Sequence, residues 1–321
     1  MEKGNLTSGF ILLGFSDLHY NQVAVFSTIL VIYTLTWTAN LLLLGSIKLS
    51  PHLHTPMYFF LGNLSVVDIS FSTVTVPKLL SCILYGRTSI SFLGCFLQMF
   101  FFLFLGVTES FFLAVMACDR YLAICYPLRY TLLMTDKVMV MMSALCWVAG
   151  SLHSLLHSFS LSALTYCEDR LIRHFLCDLT PLIKLSCSST TLAELLIYTE
   201  GSMAGNIPFL FILISYVLIG WAILKIKNGS NRSKAFSSCS SHLMVICLFY
   251  GTIIFIYFRP PSDISSQYDR IVSMVYTIIT PMLNPFIYSL RNQDVKYSLK
   301  KTLKKLFIKC FSRNKTNMIL R

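Results

Sequence analysis

Seven long apolar segments divide this chain and limit the folds that it can adopt. A helix needs about 20 mainly apolar residues to cross the hydrocarbon core of a bilayer, and each segment reaches that length. With 55% hydrophobic and 12% charged residues, the composition excludes an ordinary soluble domain. The seven candidate spans are Val23–Ile47, Met57–Leu80, Cys95–Ile124, Val138–Ser160, Glu194–Ile226, Ala235–Phe258 and Arg270–Leu290.

The segments are helical in type. None shows the alternation of apolar and polar residues over about ten positions that marks the strands of a membrane barrel. The sequence therefore predicts an all-α membrane protein, a bundle of seven transmembrane helices. No repeat or linker divides it, so we expect one seven-helix membrane domain over 23–290, an N-terminal tail over 1–22 and a C-terminal tail over 291–321.

The distribution of basic residues predicts the orientation of the chain in the membrane. Most of the 26 lysines and arginines lie in the loops on one side and in the tail after Asn292, and such loops stay in the cytoplasm. We therefore expect a multi-pass plasma-membrane protein with an extracellular N-terminus, where Asn5 of the sequon Asn5-Leu6-Thr7 is a candidate glycosylation site. The net charge of +12 fits anionic lipid. It does not indicate nucleic acid, because no basic groove with interleaved aromatic residues appears.

The C-terminal tail carries its own pattern. Lysines alternate with apolar residues at helical spacing after Asn292, which predicts a short amphipathic helix on the inner leaflet. A palmitoylated Cys310 and an unmodified thiol both fit this segment.

Four of the 11 cysteines fall on the outer side of this topology. Cys95 begins the third span, and Cys167, Cys177 and Cys187 lie between the fourth and fifth spans. Disulfides belong to oxidising compartments. Four cysteines allow three pairings, and the residues alone do not choose among them.

Charged residues inside or at the ends of apolar spans need a physical reason. Asp119 and Arg120 end the third span, where an ion pair serves either as an interface anchor or as a switch that releases the arginine to a partner. Asp68 and Glu109 lie within spans. Two carboxylates in low dielectric share a proton, bind a cation such as sodium, or remain protonated and hydrogen-bonded.

Catalytic and transition-metal patterns are weak. No HExxH or GxSxG motif occurs, so we expect no enzyme activity. His153 and His157 are one helical turn apart, but no carboxylate joins them at a recognisable spacing. We therefore expect packing or hydrogen bonding there, with no transition metal and no cofactor except a sodium ion.

Five motifs in order along the chain resemble the signature set of vertebrate odorant receptors, which are rhodopsin-like (class A) G-protein-coupled receptors. The resemblance extends from Asn5 to about Leu299. The motifs are LHTPMYFFLGNLSVVD (Leu53–Asp68), MACDRYLAICYPLRY (Met116–Tyr130), HFLCD (His174–Asp178), KAFSSCSSH (Lys234–His242) and PMLNPFIYSLRN (Pro281–Asn292).

The resemblance implies roles for residues that the physical pattern leaves open. It implies disulfides Cys95–Cys177 and Cys167–Cys187, and a sodium site at Asp68 and Glu109 with Asn40, Ser110 and Asn284 as oxygen donors. It implies a conformational switch for G-protein coupling, whose residues are Asp119, Arg120, Tyr121, Tyr216, Tyr250, Asn284, Pro285 and Tyr288.

A ligand cavity follows from aligning the chain on these motifs. Its mostly apolar lining suits small, neutral, volatile odorants. Glu200 either receives a polar or cationic ligand group or pairs elsewhere. The expected lining residues are Phe102, Leu103, Gly106, Val107, Leu179, Glu200, Gly201, Ala204, Gly205, Ile253, Ile254, Tyr257, Met274 and Thr277.

By the same resemblance, the partners are an odorant, a heterotrimeric G protein of the stimulatory olfactory type that raises cAMP, anionic lipid and trafficking chaperones. Two alternatives remain. One is a G-protein-coupled receptor for another small ligand outside the nose. The other is an ion-coupled transporter, although the chain lacks the inverted repeats that transporters usually have.

Overall fold

Seven long helices make up the structure, a computed structural model that describes residues 9–15, 21–167, 170–227, 229–257, 265–291, 295 and 297–298. Each is long and apolar enough to cross a membrane, so the predicted all-α seven-helix bundle is confirmed. They are α1 Gln22–Leu49, α2 Pro56–Tyr85, α3 Phe92–Cys125, α4 Asp136–Ser162, α5 Thr191–Lys225, α6 Gly229–Tyr257 and α7, which comprises Ser265–Met274, a π-helical turn Val275–Ile279, and Thr280–Arg291.

Shorter elements join the long helices. They are a 3₁₀ turn at Pro51–Leu53, short helices at Tyr130–Leu133 and Leu179–Lys184, and strands β1 Phe10–Leu12, β2 Thr88–Ile90 and β3 Leu171–Ile172. Asn5, Cys310 and nearly all of the predicted C-terminal helix lie outside the described residues. The proposed division into tails and a central domain therefore stays a prediction.

Local signals set helix ends that the apolar pattern misses. α2 runs through Pro77 and continues to Tyr85, beyond the expected Leu80, and ends where Gly86 takes a φ of 72°. Glycine adopts this left-handed conformation without the penalty that a Cβ imposes. α3 begins before Cys95 because the Ser91 side chain accepts a hydrogen bond from the Gly94 amide, 3.0 Å away.

α3 lies at the centre of the bundle, in contact with α2, α4, α5 and α6. Half of its spanning segment is buried within the protein, whereas 22% of that of α1 is buried. The lipid-facing sides of α4 and α5 remain apolar because hydrocarbon surrounds them, as at Leu145, Leu152, Ile207 and Trp221. α3 can therefore contribute buried polar side chains to contacts with several helices, as Glu109, Ser110 and Asp119 do.

α3 and α4 approach each other closely at Gly150. A Cβ built there would collide with the Thr108 hydroxyl and lie 2.9 Å from the Phe104 carbonyl oxygen. Small residues allow membrane helices to approach closely, since packing rather than water exclusion holds them together. Gly150 therefore fixes the distance at which α4 packs on α3.

A small sheet closes one end of the bundle, which we call the disulfide end. β1 is its central strand, antiparallel to β2 and parallel to β3. The buried Phe10 ring packs on Phe92 and Tyr166, with ring centroids 5.8 and 5.3 Å away. The segment before α1 is thereby joined to two later connections.

Both disulfides lie at this end, with the pairing that the resemblance implies. Cys95 pairs with Cys177 and Cys167 pairs with Cys187, at Cα–Cα distances of 5.5 and 5.9 Å. The first bond ties the start of α3 to the connection between α4 and α5, and the second closes a loop within that connection. Crosslinks of this kind restrict the unfolded chain and so stabilise the folded one.

A buried cation anchors the turn after β1. Arg270 of α7 donates a hydrogen bond to the Gly14 carbonyl oxygen, and its guanidinium lies 5.5 Å from the centroid of the Phe15 ring. His174 is also buried here and stacks on Phe175. Burial, and then the charge of Arg270, lower the pKa of His174 to about 3, so this imidazole stays neutral at physiological pH.

We expect Gly150→Ala to destabilise the bundle by about 1–3 kcal/mol, because the added methyl group overpacks the contact between α3 and α4. The melting temperature of the purified protein in detergent measures this effect. Gly205→Ala is the matched control, since a Cβ there meets nothing within 4 Å. Equal melting temperatures for the two variants would contradict the packing argument.

Candidate functional site

The two intramembrane acids lie inside the bundle with two asparagines. Asp68 and Glu109 are each 1% exposed. Asn284 of α7 donates a hydrogen bond to Asp68 Oδ1 at 2.9 Å. Asn40 of α1 donates to the Thr36 and Pro281 carbonyl oxygens at 3.0 and 3.2 Å, which ties α1 to α7.

Several oxygens of this group have no hydrogen-bond partner among the described residues. They are Asn40 Oδ1, Glu109 Oε1 and Asn284 Oδ1. Buried oxygen atoms without donors are costly unless a cation or a proton satisfies them. This donor set fits a hard cation, which takes carboxylate and amide oxygens as ligands. Ser110, also predicted for the site, hydrogen-bonds the Tyr250 hydroxyl at 2.7 Å.

Asp119 and Arg120 end α3 at the opposite end of the bundle, the DRY end. Arg120 Nη2 lies 3.3 Å from Asp119 Oδ2. Asp119 is fully buried, and its other oxygen, Oδ1, accepts a hydrogen bond at 2.6 Å from the Tyr130 hydroxyl in the short helix after α3. Burial and this hydrogen bond raise the pKa of Tyr130, which keeps its phenol protonated and donating.

Tyr130 is a contact that sequence reasoning missed. It is the last residue of the motif MACDRYLAICYPLRY, 11 residues from its partner, and it was read as part of the motif without a role. Tyr121, which was predicted for the switch, packs edge-on against Tyr126 with ring centroids 5.7 Å apart.

The other predicted switch residues connect α3, α5, α6 and α7. Tyr216 of α5 contacts His242 Nδ1 of α6 at 2.6 Å, a partner that the motif KAFSSCSSH contains but that was not assigned. Tyr250 joins α6 to α3 through Ser110. Tyr288 is buried, and its hydroxyl has no hydrogen-bond partner among the described residues; Pro285 lies inside α7.

Several of the predicted cavity residues of α3 and α7 lie near one another toward the disulfide end. Phe102 contacts Phe71 and Tyr276, with ring centroids 5.3 and 6.3 Å away. A Cβ on Gly106 would lie 2.7 Å from the Tyr276 hydroxyl. Thr277 is buried and donates to the Ser273 carbonyl oxygen, whereas Leu103, Val107, Ile253 and Met274 are half-buried.

The remaining predictions for this cavity have mixed outcomes. Leu179 is buried at the start of a short helix beside the disulfides. Ile254 is 42% exposed and shares one face of α6 with the exposed residues Met244, Cys247 and Gly251, so its assignment to the inner cavity is wrong. Gly205 is likewise exposed, and the side chain of Tyr257 lies outside the described residues.

A separate cavity of about 390 Å³ lies between α4 and α5. Exposed side chains of Thr199, Met203 and Ile207 form its rim, so it opens at the outer surface of the bundle. Predicted ligand residues Glu200 and Ala204 line it, together with Phe111, Ala149 and His153.

Glu200 contacts both histidines of α4. Its Oε1 lies 2.9 Å from His153 Nδ1 and its Oε2 lies 2.8 Å from His157 Nε2. The expected hydrogen bonding of these histidines is therefore present, and its partner is a carboxylate. The spacing within one helix did not reveal it because the acid comes from the next helix. Gly201 follows Glu200, and a Cβ there would lie 3.7 Å from His157 Nε2.

A seven-helix membrane bundle that keeps an Asp-Arg pair at one end and disulfides at the other belongs to the rhodopsin-like G-protein-coupled receptors. Comparison with known proteins narrows the class. The family model described as "Olfactory receptor" matches residues 29–306. The chain belongs to the olfactory receptor family, and the predicted resemblance is confirmed.

Relatives cover almost the whole chain. It is 48% identical over 305 residues to mouse olfactory receptor 1J1, a match that covers 95% of this chain and 97% of the relative. Gorilla olfactory receptor 1G1 and human olfactory receptor 1N1 are each 47% identical, each over 94% of this chain and 97% of the relative. The family is one of receptors and not a class of enzymes.

We expect Tyr130→Phe to weaken the inactive ion pair, because Asp119 then loses a buried hydrogen bond worth about 1–2 kcal/mol. The variant should show higher ligand-independent G-protein activation than the parent at equal surface expression. Guanine-nucleotide exchange in membranes measures this activity. Tyr85→Phe, which removes the hydroxyl of an exposed tyrosine, is the control. Unchanged basal exchange in Tyr130→Phe would rule out a restraining role for this hydrogen bond.

Proposed function

We propose that this protein is an odorant receptor. It binds small, mainly apolar, volatile molecules toward the disulfide end and activates a stimulatory olfactory-type G protein at the DRY end, which raises cAMP. Membership of the olfactory receptor family carries this proposal. The predicted cavity residues and the Arg120 switch lie toward opposite ends of the bundle, as signalling across a membrane requires.

The orientation follows from charge. The DRY end carries Lys48, Arg129, Lys137 and Lys225 near the ends of its helices, and basic loops remain in the cytoplasm. The disulfides then lie outside, in the compartment that favours their formation. This orientation leaves the DRY end facing G protein and anionic lipid in the plasma membrane.

The residues expected to line the cavity favour neutral ligands. Phe102, Gly106, Ile253 and Met274 offer dispersion contacts, and Thr277 and the Tyr276 hydroxyl are the nearby polar groups. Glu200, the acid that was a candidate for a ligand amine, already contacts His153 and His157. A cationic ligand would have to displace those histidines.

A receptor signals only if its ligand binds the active bundle more tightly than the inactive one. In the described structure Arg120 lies beside Asp119, while Tyr216 contacts His242. We infer that activation moves α6 away from α3, exchanges these contacts, and exposes Arg120 to the G protein.

A cAMP assay on surface-expressed receptor with a chemically diverse odorant panel tests the function. We expect at least one neutral odorant to raise cAMP, and Arg120→Gln to abolish that response without loss of surface expression. Arg129→Gln, a neighbouring exposed arginine, is the control and should retain the response. Ligand-driven uptake of a labelled solute without cAMP would instead support the transporter.

We also propose that the Asp68–Glu109 group binds a sodium ion that stabilises the inactive bundle. The unpartnered oxygens of Asn40, Glu109 and Asn284 support it. An ion that binds only one state shifts the equilibrium toward that state by mass action.

The sodium site predicts a salt-specific stability. Replacing choline with sodium at constant ionic strength should raise the melting temperature of the parent, by about 2.7 kcal/mol in stability at 100 times the dissociation constant. Glu109→Gln should lose this increase, whereas Glu194→Gln, at an exposed acid, should keep it. If the melting temperature of Glu109→Gln depended on sodium as that of the parent does, the proposal would be contradicted.

A further inference from the structure

The contact of Glu200 with His153 and His157 has the composition of a metal site. The two histidines lie one turn apart on α4 with ring centroids 4.5 Å apart, and the carboxylate comes from α5. His153 and His157 are 7% and 0% exposed, whereas Glu200 is half-buried at the rim of the α4–α5 cavity. Within the described residues, one donor atom from each lies within 4.8 Å of the others.

Glu200 lies in an irregular turn of α5. Residues Ile197–Gly201 form a π-helical turn, between the α-helical segments Thr191–Leu196 and Ser202–Lys225. A π turn adds a residue to the helix at some energetic cost, and such turns are frequent at functional sites. Here the turn includes both the acid that contacts the histidines and Gly201, where an added Cβ would lie 3.7 Å from His157 Nε2.

The three donors suit a borderline transition-metal ion. Zinc takes imidazole nitrogens and carboxylate oxygens at about 2.0–2.2 Å, and two histidines with one glutamate form a known three-ligand set with an open fourth position. Two donors on a tetrahedral ion lie about 3.3 Å apart. The observed nitrogen to oxygen distances of 2.8 and 2.9 Å are hydrogen bonds, so small side-chain rotations convert one arrangement into the other.

We propose that His153, His157 and Glu200 bind a divalent transition-metal ion, with Zn²⁺ as the probe, and that its open coordination position faces the α4–α5 cavity. The ion takes the position between each imidazole nitrogen and the carboxylate, and each neutral imidazole then carries its proton on the other ring nitrogen. It also links α4 to α5 more firmly than the hydrogen bonds do. The cavity, of about 390 Å³, offers room for a small molecule with a donor atom to complete the coordination.

This proposal replaces the expectation of no transition metal. That expectation was based on the lack of a carboxylate at a recognisable sequence spacing from His153 and His157. It does not depend on the proposed odorant function, because metal binding is measured on the receptor alone. A negative odorant assay would therefore not contradict the metal site, and a lack of metal binding would not contradict the odorant function.

The test uses full-length receptor purified in lipid nanodiscs and treated with a chelator. Isothermal titration with Zn²⁺ should give one ion per receptor, and the ion should raise the melting temperature. Glu200→Gln and His157→Ala should each weaken binding at least 10-fold, since loss of a ligand leaves an incomplete site. His52→Ala, which removes an exposed histidine, should bind as the parent does.

A second measurement uses the unchanged parent protein, so its result does not depend on whether the variants fold. Co²⁺ bound at the same site should give the visible ligand-field bands of a four-coordinate nitrogen and oxygen environment, and Zn²⁺ should displace them. A folded parent that shows neither these bands nor a Zn²⁺-dependent melting temperature overturns the proposal. The cluster would then be a hydrogen-bonded triad only.

Discussion

Hydrocarbon offers no hydrogen-bond partner, and the architecture follows from that constraint. Each span must satisfy its backbone within itself, so it is a helix, and each polar side chain must turn inward or reach an end of the bundle. α3, which contacts α2, α4, α5 and α6, carries Glu109, Ser110 and Asp119 on its buried face. Glu109, the ion pair and part of the ligand region are thus distributed along this one helix.

The sequence was sufficient to predict the seven helices, because a run of about 20 apolar residues has few alternatives in a membrane protein. Helix ends were less predictable, since Ser91 and Gly86 act locally rather than through the apolar pattern. The strands β1, β2 and β3, of two or three residues each, are too short to leave a periodic signal.

Side-chain partners across helices were the least predictable part of the site. Ile254 was misplaced because both sides of α6 are apolar, one toward lipid and one toward the bundle, and hydrophobicity does not separate them. Glu200 was not matched to His153 and His157 because its direction depends on the π turn of α5. Asp68 and Asn284 were grouped through the family motifs as parts of a sodium site, which stays a prediction, and the structure joins them by a hydrogen bond from Asn284 to Asp68.

The position of β1 at the middle of the sheet has a consequence for biosynthesis. Its residues are translated before any helix, yet β3 follows only after α1 to α4 have been made. β1 therefore cannot pair with β3 until the four helices between them have been made. It completes the sheet late, together with the disulfide at Cys177. Until β3 is made, β1 can pair only with β2, and one of its edges stays open.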